Sequence, residues 1–453
     1  MHLVAAPAQV LVRGDAHPAV AAWAYNGSVP GPEIRARQGE RLRVVVENRL
    51  PQETTVHWHG LRVPNAMDGV PHLTQPPIRP GERFTYEFDL LDAGTYWYHS
   101  HFRSSEQLER GLHGALIIEE LQPPAVDRDI TWVLDDWRLS QAGQISESFG
   151  SAHDISHAGR IGNAITVNGR PPQDLPVRAG ERIRLRIVNA ANARIFALGF
   201  DGHQPQVIAL DGQPVTPHAP PGGRVRLAPG MRCDLLLEAT GKPGERHAVH
   251  DTFYPRGAFD LLSLAYGPTP FALSPSTELR TGLSKGSLTP LPRNPLSEPD
   301  LATAQTHEIR FEGGMMGSLH RATLDGESLP MMSLLRRGKA WAVNGVVSAG
   351  HGEGHGHHHE APMLTLQRGR TYVLAMRNDT NWHHPIHLHG HSFRVIARNG
   401  RPTPHREWRD TVLMDPMEKV DIAFVADNPG DWMLHCHILE HQDGGMMAMF
   451  RVA

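Results

Sequence analysis

The chain predicts an all-β protein of three Greek-key β-sandwich modules. Three observations carry that expectation. Turn residues are abundant, with Gly 44 and Pro 37, while long amphipathic helical patterns are few. A length of 453 residues suits about three domains of roughly 150 residues each. One local pattern then recurs three times along the chain.

The first copy runs from Tyr25-Asn26-Gly27 to Gly39-Glu40-Arg41-Leu42-Arg43-Val44-Val45-Val46-Glu47-Asn48. The second runs from Val167-Asn168-Gly169 to Gly180-Glu181-Arg182-Ile183-Arg184-Leu185-Arg186-Ile187-Val188-Asn189. The third runs from Val343-Asn344-Gly345 to Gly369-Arg370-Thr371-Tyr372-Val373-Leu374-Ala375-Met376-Arg377-Asn378. Each reads as a turn followed by a strand of alternating apolar and charged residues that ends at an Asn.

Spacing ties the first and third copies together. His57 follows Gly39 by 18 residues, as His387 follows Gly369; His99 follows Gly94 by 5, as His435 follows Gly430. The same step from Gly180 lands on Leu198, so the middle copy keeps the scaffold without the histidine. We expect modules at 1–122, 123–290 and 291–453, divided near Leu121-Gln122-Pro123-Pro124 and within the Pro/Ser/Thr-rich stretch from Pro268 to about Pro299.

Lys+Arg 44 against Asp+Glu 48 gives a net charge of -4, without the basic balance of a nucleic-acid binder, so no nucleic-acid partner is expected. No apolar run approaches the ~20 residues of a membrane span. Met1-His2-Leu3-Val4-Ala5-Ala6-Pro7 is neither a charged leader nor an apolar signal stretch. Of two cysteines, Cys233 lacks flanking histidines and suits a small buried hydrophobe.

The chemistry concentrates in His435-Cys436-His437-Ile438-Leu439-Glu440-His441 and the following Gly445-Met446. On a strand His435 and His437 face one way and Cys436 the other, so one segment can serve two metal centres. Cys436, His441 and Met446 offer a thiolate, an imidazole and a weak thioether, the donor types of a copper electron-transfer site. A further histidine is available in His384-Pro385-Ile386-His387-Leu388-His389-Gly390, and two more pairs occur at His57-Trp58-His59-Gly60 and His99-Ser100-His101. An isolated His-x-His is ordinarily two solvated polar residues; four such segments in this order, with the Cys and Met in register, are not.

These four segments resemble the copper signatures of the multicopper oxidases, the family of laccases and bacterial cuprous oxidases. The resemblance implies three cupredoxin-like β-sandwiches with a copper cluster between the first and third, and four copper ions as cofactors. Carried over, type 1 copper takes His384, Cys436 and His441 with Met446 axial, Met447 competing only by adjacency. Type 2 copper takes His57 and His387. One type 3 copper takes His59, His99 and His437, and the other His101, His389 and His435. The implied activity is one-electron oxidation of a donor at type 1, coupled to reduction of O2 to water at the cluster, with electrons passing from Cys436 to its two neighbouring histidines.

That reduction consumes protons, and Asp68 in Met67-Asp68-Gly69 matches the family's acidic position near the cluster. An Asp-Gly turn capping its own backbone reads the same residues equally well. Where some bacterial cuprous oxidases carry a glutamate after the type 1 histidine this chain has Gln442, which leaves the second proton donor open between Glu440, Asp443 and neither. Candidate donors are phenols, aromatic amines and Cu(I). Met315-Met316, Met331-Met332 and the histidines of the loop from His351 to His359 suit cuprous ion, whereas Met pairs also serve as core filler. His383 reads as a surface neighbour of the ligands and Asp410 as a structural hydrogen-bonding residue. Relatives of this type are commonly exported, so a periplasmic or secreted location is expected. A copper-buffering protein whose oxidase activity is incidental is the alternative; relatives that keep the scaffold only for protein interaction lack ligands, and here the set is full.

Overall fold

Asn-Gly is favoured where two successive residues take positive φ, and all three repeat turns do so: 54° and 79° at Asn26-Gly27, 53° and 71° at Asn168-Gly169, 50° and 74° at Asn344-Gly345. The computed structural model describes residues 1–269, 289–350 and 361–453. The strands that follow these turns, Arg41–Asn48, Arg182–Asn189 and Thr371–Asn378, occupy equivalent places. Each pairs in parallel with the first strand of its module, His2–Val10, Arg128–Trp137 or Gln305–Gly313. On the other side each pairs antiparallel with Arg83–Asp89, Arg232–Glu238 or Lys419–Val425.

The Asn that ends each strand is a buried staple. Asn48 donates to the carbonyls of Gln52 and Ile78 at 2.9 and 2.8 Å and accepts from the Leu50 amide at 2.9 Å. Asn189 makes the same three bonds to Arg194, Leu227 and Ala191, and Asn378 to Trp382, Asp415 and Thr380. A side-chain amide that satisfies loop carbonyls lets the chain cross from one sheet to the other without orphaned backbone groups.

Among the described residues the sheets come in pairs of four and four, six and five, and seven and five strands, along chain segments 2–119, 128–266 and 305–452. A hairpin of Arg321–Leu324 and Glu327–Pro330 is appended to the third pair. Alternating strand residues fill three main cores, among them Val44, Val46 and Tyr86; Ile183, Leu185 and Ile187; and Leu374, Met376 and Ile422. The protein is therefore all-β, and its helices among the described residues are short, such as Ser104–Glu109, Ala152–Ser156 and Leu439–Asp443. No described helix is long and apolar enough to cross a membrane. Most of the stretch from Pro268 to Pro299, and the His351 to His359 loop, lie outside the described residues.

The expected correspondence of histidine strands is met in the register. His57–His59 pairs with Gly94–His99, setting His57 opposite His99. His384–Leu388 pairs with Gly430–Cys436, setting His387 opposite His435. The middle counterpart pairs Phe196–Phe200 with Arg246–Asp251, and there Leu198 is wholly buried in the apolar core.

Candidate metal centre

At the strand end Gly430–Cys436 the alternation of side chains separates two sites. Cys436 Sγ lies 3.5 Å from His384 Nδ1 and 3.7 Å from His441 Nδ1, and the two ring nitrogens are 3.1 Å apart. The far side of each imidazole is tied down. His384 Nε2–H donates to Thr380 Oγ1 at 2.8 Å, and Thr380 donates in turn to the repeat staple Asn378 at 2.7 Å. His441 Nε2–H donates to the His157 carbonyl at 2.6 Å. Both bonds leave Nδ1 free to face the sulfur. Burial pushes the Cys436 thiol upward and holds His441 down to about 3, so the imidazoles are neutral donors and the sulfur ionises only against a cation. Met446 is buried in the same apolar cluster as Cys436, with its carbonyl accepting the Cys436 amide at 3.1 Å. Met447 packs elsewhere, against Val70 and Met433.

On the opposite side eight imidazoles converge. His57, His59 and His99 bring one nitrogen each within 4.8 Å of one another, as do His57, His387 and His389, and His101, His389 and His435. His437 stands outside these sets of three, with its ring 4.9 Å from that of His59 and 5.3 Å from that of His99. The His59 and His387 rings stack at 3.7 Å. All eight residues are at most 4% exposed. Burial, then the neighbouring rings, drives His59, His99, His101, His435 and His437 well below the usual imidazole range, and His389 to about 3.

Two carboxylates brace this array. Asp68 accepts the His389 Nδ1–H at 2.9 Å, and its backbone carbonyl accepts the His57 Nδ1–H at 2.7 Å. Burial alone would raise the Asp68 carboxyl, but its electrostatic interaction and hydrogen bonds with His389 and His57 hold it well below the usual range. Its side chain reaches the imidazoles and does not cap its own turn. Asp410 Oδ1 lies 3.2 Å from His59 Nε2 and 3.5 Å from His387 Nδ1, while Thr411 Oγ1 donates to Asp410 at 2.8 Å. Its backbone carbonyl accepts from His387 Nδ1–H at 2.9 Å.

The donors fit a metal. His57 Nε2, His59 Nδ1, His99 Nε2, His101 Nε2, His387 Nε2 and His437 Nε2 are buried without a hydrogen-bond partner. Buried polar atoms are otherwise nearly always satisfied, and leaving one unsatisfied costs about 1–3 kcal/mol. Buried imidazoles, several of them held by a bond at the second nitrogen, beside a buried cysteine, are the donors that copper takes.

Multicopper oxidase models match residues 8–123, 128–258 and 329–453. The chain belongs to the multicopper oxidase family. It is 30% identical to multicopper oxidase MmcO of Mycobacterium tuberculosis over 97% of this chain and 84% of that protein. It is also 29% identical to laccase-1 of Botryotinia fuckeliana over 94% and 77%. Among solved structures, the multi-copper oxidase of Pseudomonas thermotolerans superposes with a TM-score of 0.83 at 33% identity, covering 100% of this chain and 98% of that one. That of Pseudomonas parafulva gives 0.80 at 34%, covering all of both. The fold is accordingly that of cupredoxin-like sandwiches, and the protein is a copper oxidoreductase that uses O2.

Within the oxidase the structure changes the reading of some residues and leaves others, such as Cys233 and the non-ligand His383, as expected. Asp410, taken from sequence as a structural residue only, stands against two cluster imidazoles because strand Thr411–Met414 pairs with His384–Leu388. Nothing local in Trp408-Arg409-Asp410-Thr411 signals this. Met315, Met316 and Met332 are exposed at 43%, 73% and 63%, so these three are not core filler. His383 keeps a half-buried place beside Asp415, outside every cluster of metal-binding donors. Cys233 is a buried core residue. Gln442 is buried with its Oε1 unpartnered. Glu440 accepts from the Arg160 amide and Asn192, and burial holds it at about 7. Asp443 accepts from Ser105 at 2.5 Å and borders an open cavity of about 410 Å³ that reaches His101.

Proposed function

We propose that the chain is a four-copper oxidase in which His384, Cys436, His441 and Met446 would hold type 1 copper. In this reading His57 and His387 hold type 2, and His59, His99 and His437 with His101, His389 and His435 hold the type 3 pair. Copper bound there supplies one-electron uptake from a donor and four-electron reduction of O2. The residues do the rest. Cys436 is covalently continuous with His435 and His437, a short bonded route between the two sites. Asp68 fixes the His389 and His57 tautomers, and its Oδ1, without a hydrogen-bond partner, stands 3.3 Å from His57 Nδ1 as an acceptor for an incoming proton. The cavity beside His101 and Asp443 supplies a path for water.

As to the donor, we infer that cuprous ion is oxidised in preference to bulky phenols. The observation that carries this is the bond from His441 Nε2–H to the His157 carbonyl. The edge of the type 1 imidazole is thereby occupied by the His157 carbonyl, leaving no free N–H on His441 for a phenolate oxygen. Around that cover lie exposed His153, half-buried His157 and the exposed Met315 and Met316. His153 stacks on His157 at 4.3 Å, and Met315 is tied to Ser156 and Trp382 through its backbone. Thioether donors select soft cuprous ion, and imidazole also suits copper.

The test compares kcat/KM for Cu(I) and for a bulky phenol in one preparation, with Met315→Leu/Met316→Leu beside the parent. Leu preserves apolar volume, so cuprous oxidation falls several-fold while phenol oxidation holds. Equal losses, or a loss on phenol alone, would put the phenol-oxidising reading first. Failure of the purified enzyme to turn over either donor would favour copper buffering.

A further inference from the structure

The middle module carries none of the assigned ligands, yet its backbone lies against them. Gly230 has φ +83°, and a Cβ there would sit 2.8 Å from the His437 ring and 3.0 Å from that of His59. The first module has the same turn, since Gly81 donates to the carbonyl of the staple Asn48 at 2.7 Å as Gly230 does to Asn189 at 3.0 Å. There, a Cβ on Gly81 meets nothing within 4 Å. Two residues on, Arg83 is 63% exposed and pairs with Glu47, whereas Arg232 is wholly buried.

Buried Arg232 grips both oxygens of Asp410, Nη1 to Oδ1 at 2.8 Å and Nη2 to Oδ2 at 2.5 Å. Two further donors go to the carbonyls of Thr95 and Gly230. This geometry locks the carboxylate in one rotation. In that rotation Oδ1 faces His59 Nε2 and the Thr411 hydroxyl, while the Asp410 backbone carbonyl faces His387 Nδ1. Two stacked rings thus turn opposite nitrogens inward, Nδ1 of His59 and Nε2 of His387. Gly60 leaves the space for the pair: a Cβ there would lie 2.3 Å from Arg232 Nη2 and 2.4 Å from Asp410 Oδ2.

We propose that Arg232 is a positioning residue for the copper cluster, acting from the middle module through Asp410 to set the tautomers and orientation of His59 and His387. The inference rests on the ligand assignment above. It gives the ligand-free module a part in the chemistry: Arg232, Asp410 and His59 join all three sandwiches in one hydrogen-bonded chain.

The test uses copper-loaded Arg232→Met and Arg232→Lys, with chelator competition to measure copper affinity and electron paramagnetic resonance to observe type 2 copper. The blue absorption of type 1 is the internal control. Loss of a residue that orients metal ligands weakens binding by roughly 10- to 100-fold, so R232M loses cluster copper by about that factor and shifts the type 2 hyperfine coupling, with type 1 absorption intact. R232K retains the charge without the two-pronged grip and falls between; it carries the comparison if R232M does not fold. Asp410→Asn in the R232M background removes the uncompensated buried charge and restores part of the affinity. Parent-like affinity and an unchanged type 2 spectrum in R232M overturn the proposal. So does a parallel loss of type 1 absorption, type 2 signal and thermal midpoint in R232K, the mark of a role in folding alone. If His387→Ala keeps a normal type 2 signal, the ligand assignment itself is wrong, a result separate from these.

Discussion

Thr380→Val is the sharpest probe of the proposed type 1 site. Thr380 Oγ1 is buried, accepts from His384 Nε2–H at 2.8 Å and from the Trp382 amide at 3.1 Å, and donates to Asn378 at 2.7 Å. Valine keeps the shape and leaves two donors without acceptors, at a cost of roughly 2–6 kcal/mol in stability, taking 1–3 kcal/mol for each orphaned group. The imidazole also becomes a poorer electron donor once its second nitrogen is unbonded, which disfavours the oxidised metal, so the reduction potential rises. If about 1 kcal/mol of that bond distinguishes the two oxidation states, the rise is roughly 40 mV, because a tenfold change in a one-electron equilibrium is about 59 mV. The assay is a redox titration followed by the blue absorption, with Thr380→Ser as control because it keeps the hydroxyl. An unchanged or lowered potential in T380V, or an equal shift in T380S, refutes the reasoning.

Cys436→Ser should abolish the thiolate-to-copper absorption and the oxidase activity while leaving the β circular dichroism intact; retained blue colour would mean that another sulfur binds type 1 copper. His387→Ala should deplete type 2 copper and stop O2 reduction while type 1 copper is still reduced by the donor, which spin resonance and metal analysis can follow. The copper-free protein should be acid-labile. Burial holds His389 and His441 at about 3, below the ~6.5 of an unfolded chain, so the unfolded state binds more protons. Their contribution to stability is complete above about pH 6.5 and is lost as pH falls towards 3, at about 1.4 kcal/mol per pH unit for each group. Urea midpoints of the apoprotein at pH 7.5 and 5 should differ accordingly, and equal midpoints would count against neutral buried ligands.

Much of the fold and the candidate site was legible because both depend on local periodicity. Asn-Gly turns, Asn-terminated strands and the common intervals from Gly39 to His57 and Gly369 to His387 are properties of short segments, and they translate directly into register. Strand alternation likewise sends Cys436 one way and His435 and His437 the other. The sequence by itself therefore determined the all-β repeat, the paired histidine strands and the donor types. Only the tertiary structure decided what stands behind those donors. Asp410 and Arg232 are 178 residues apart, and His157 reaches His441 across 284. Such contacts leave no periodic trace, because they are set by how whole sandwiches pack. The same packing turned one copy of a repeated arginine inward, at Arg232, and left its counterpart Arg83 in solvent.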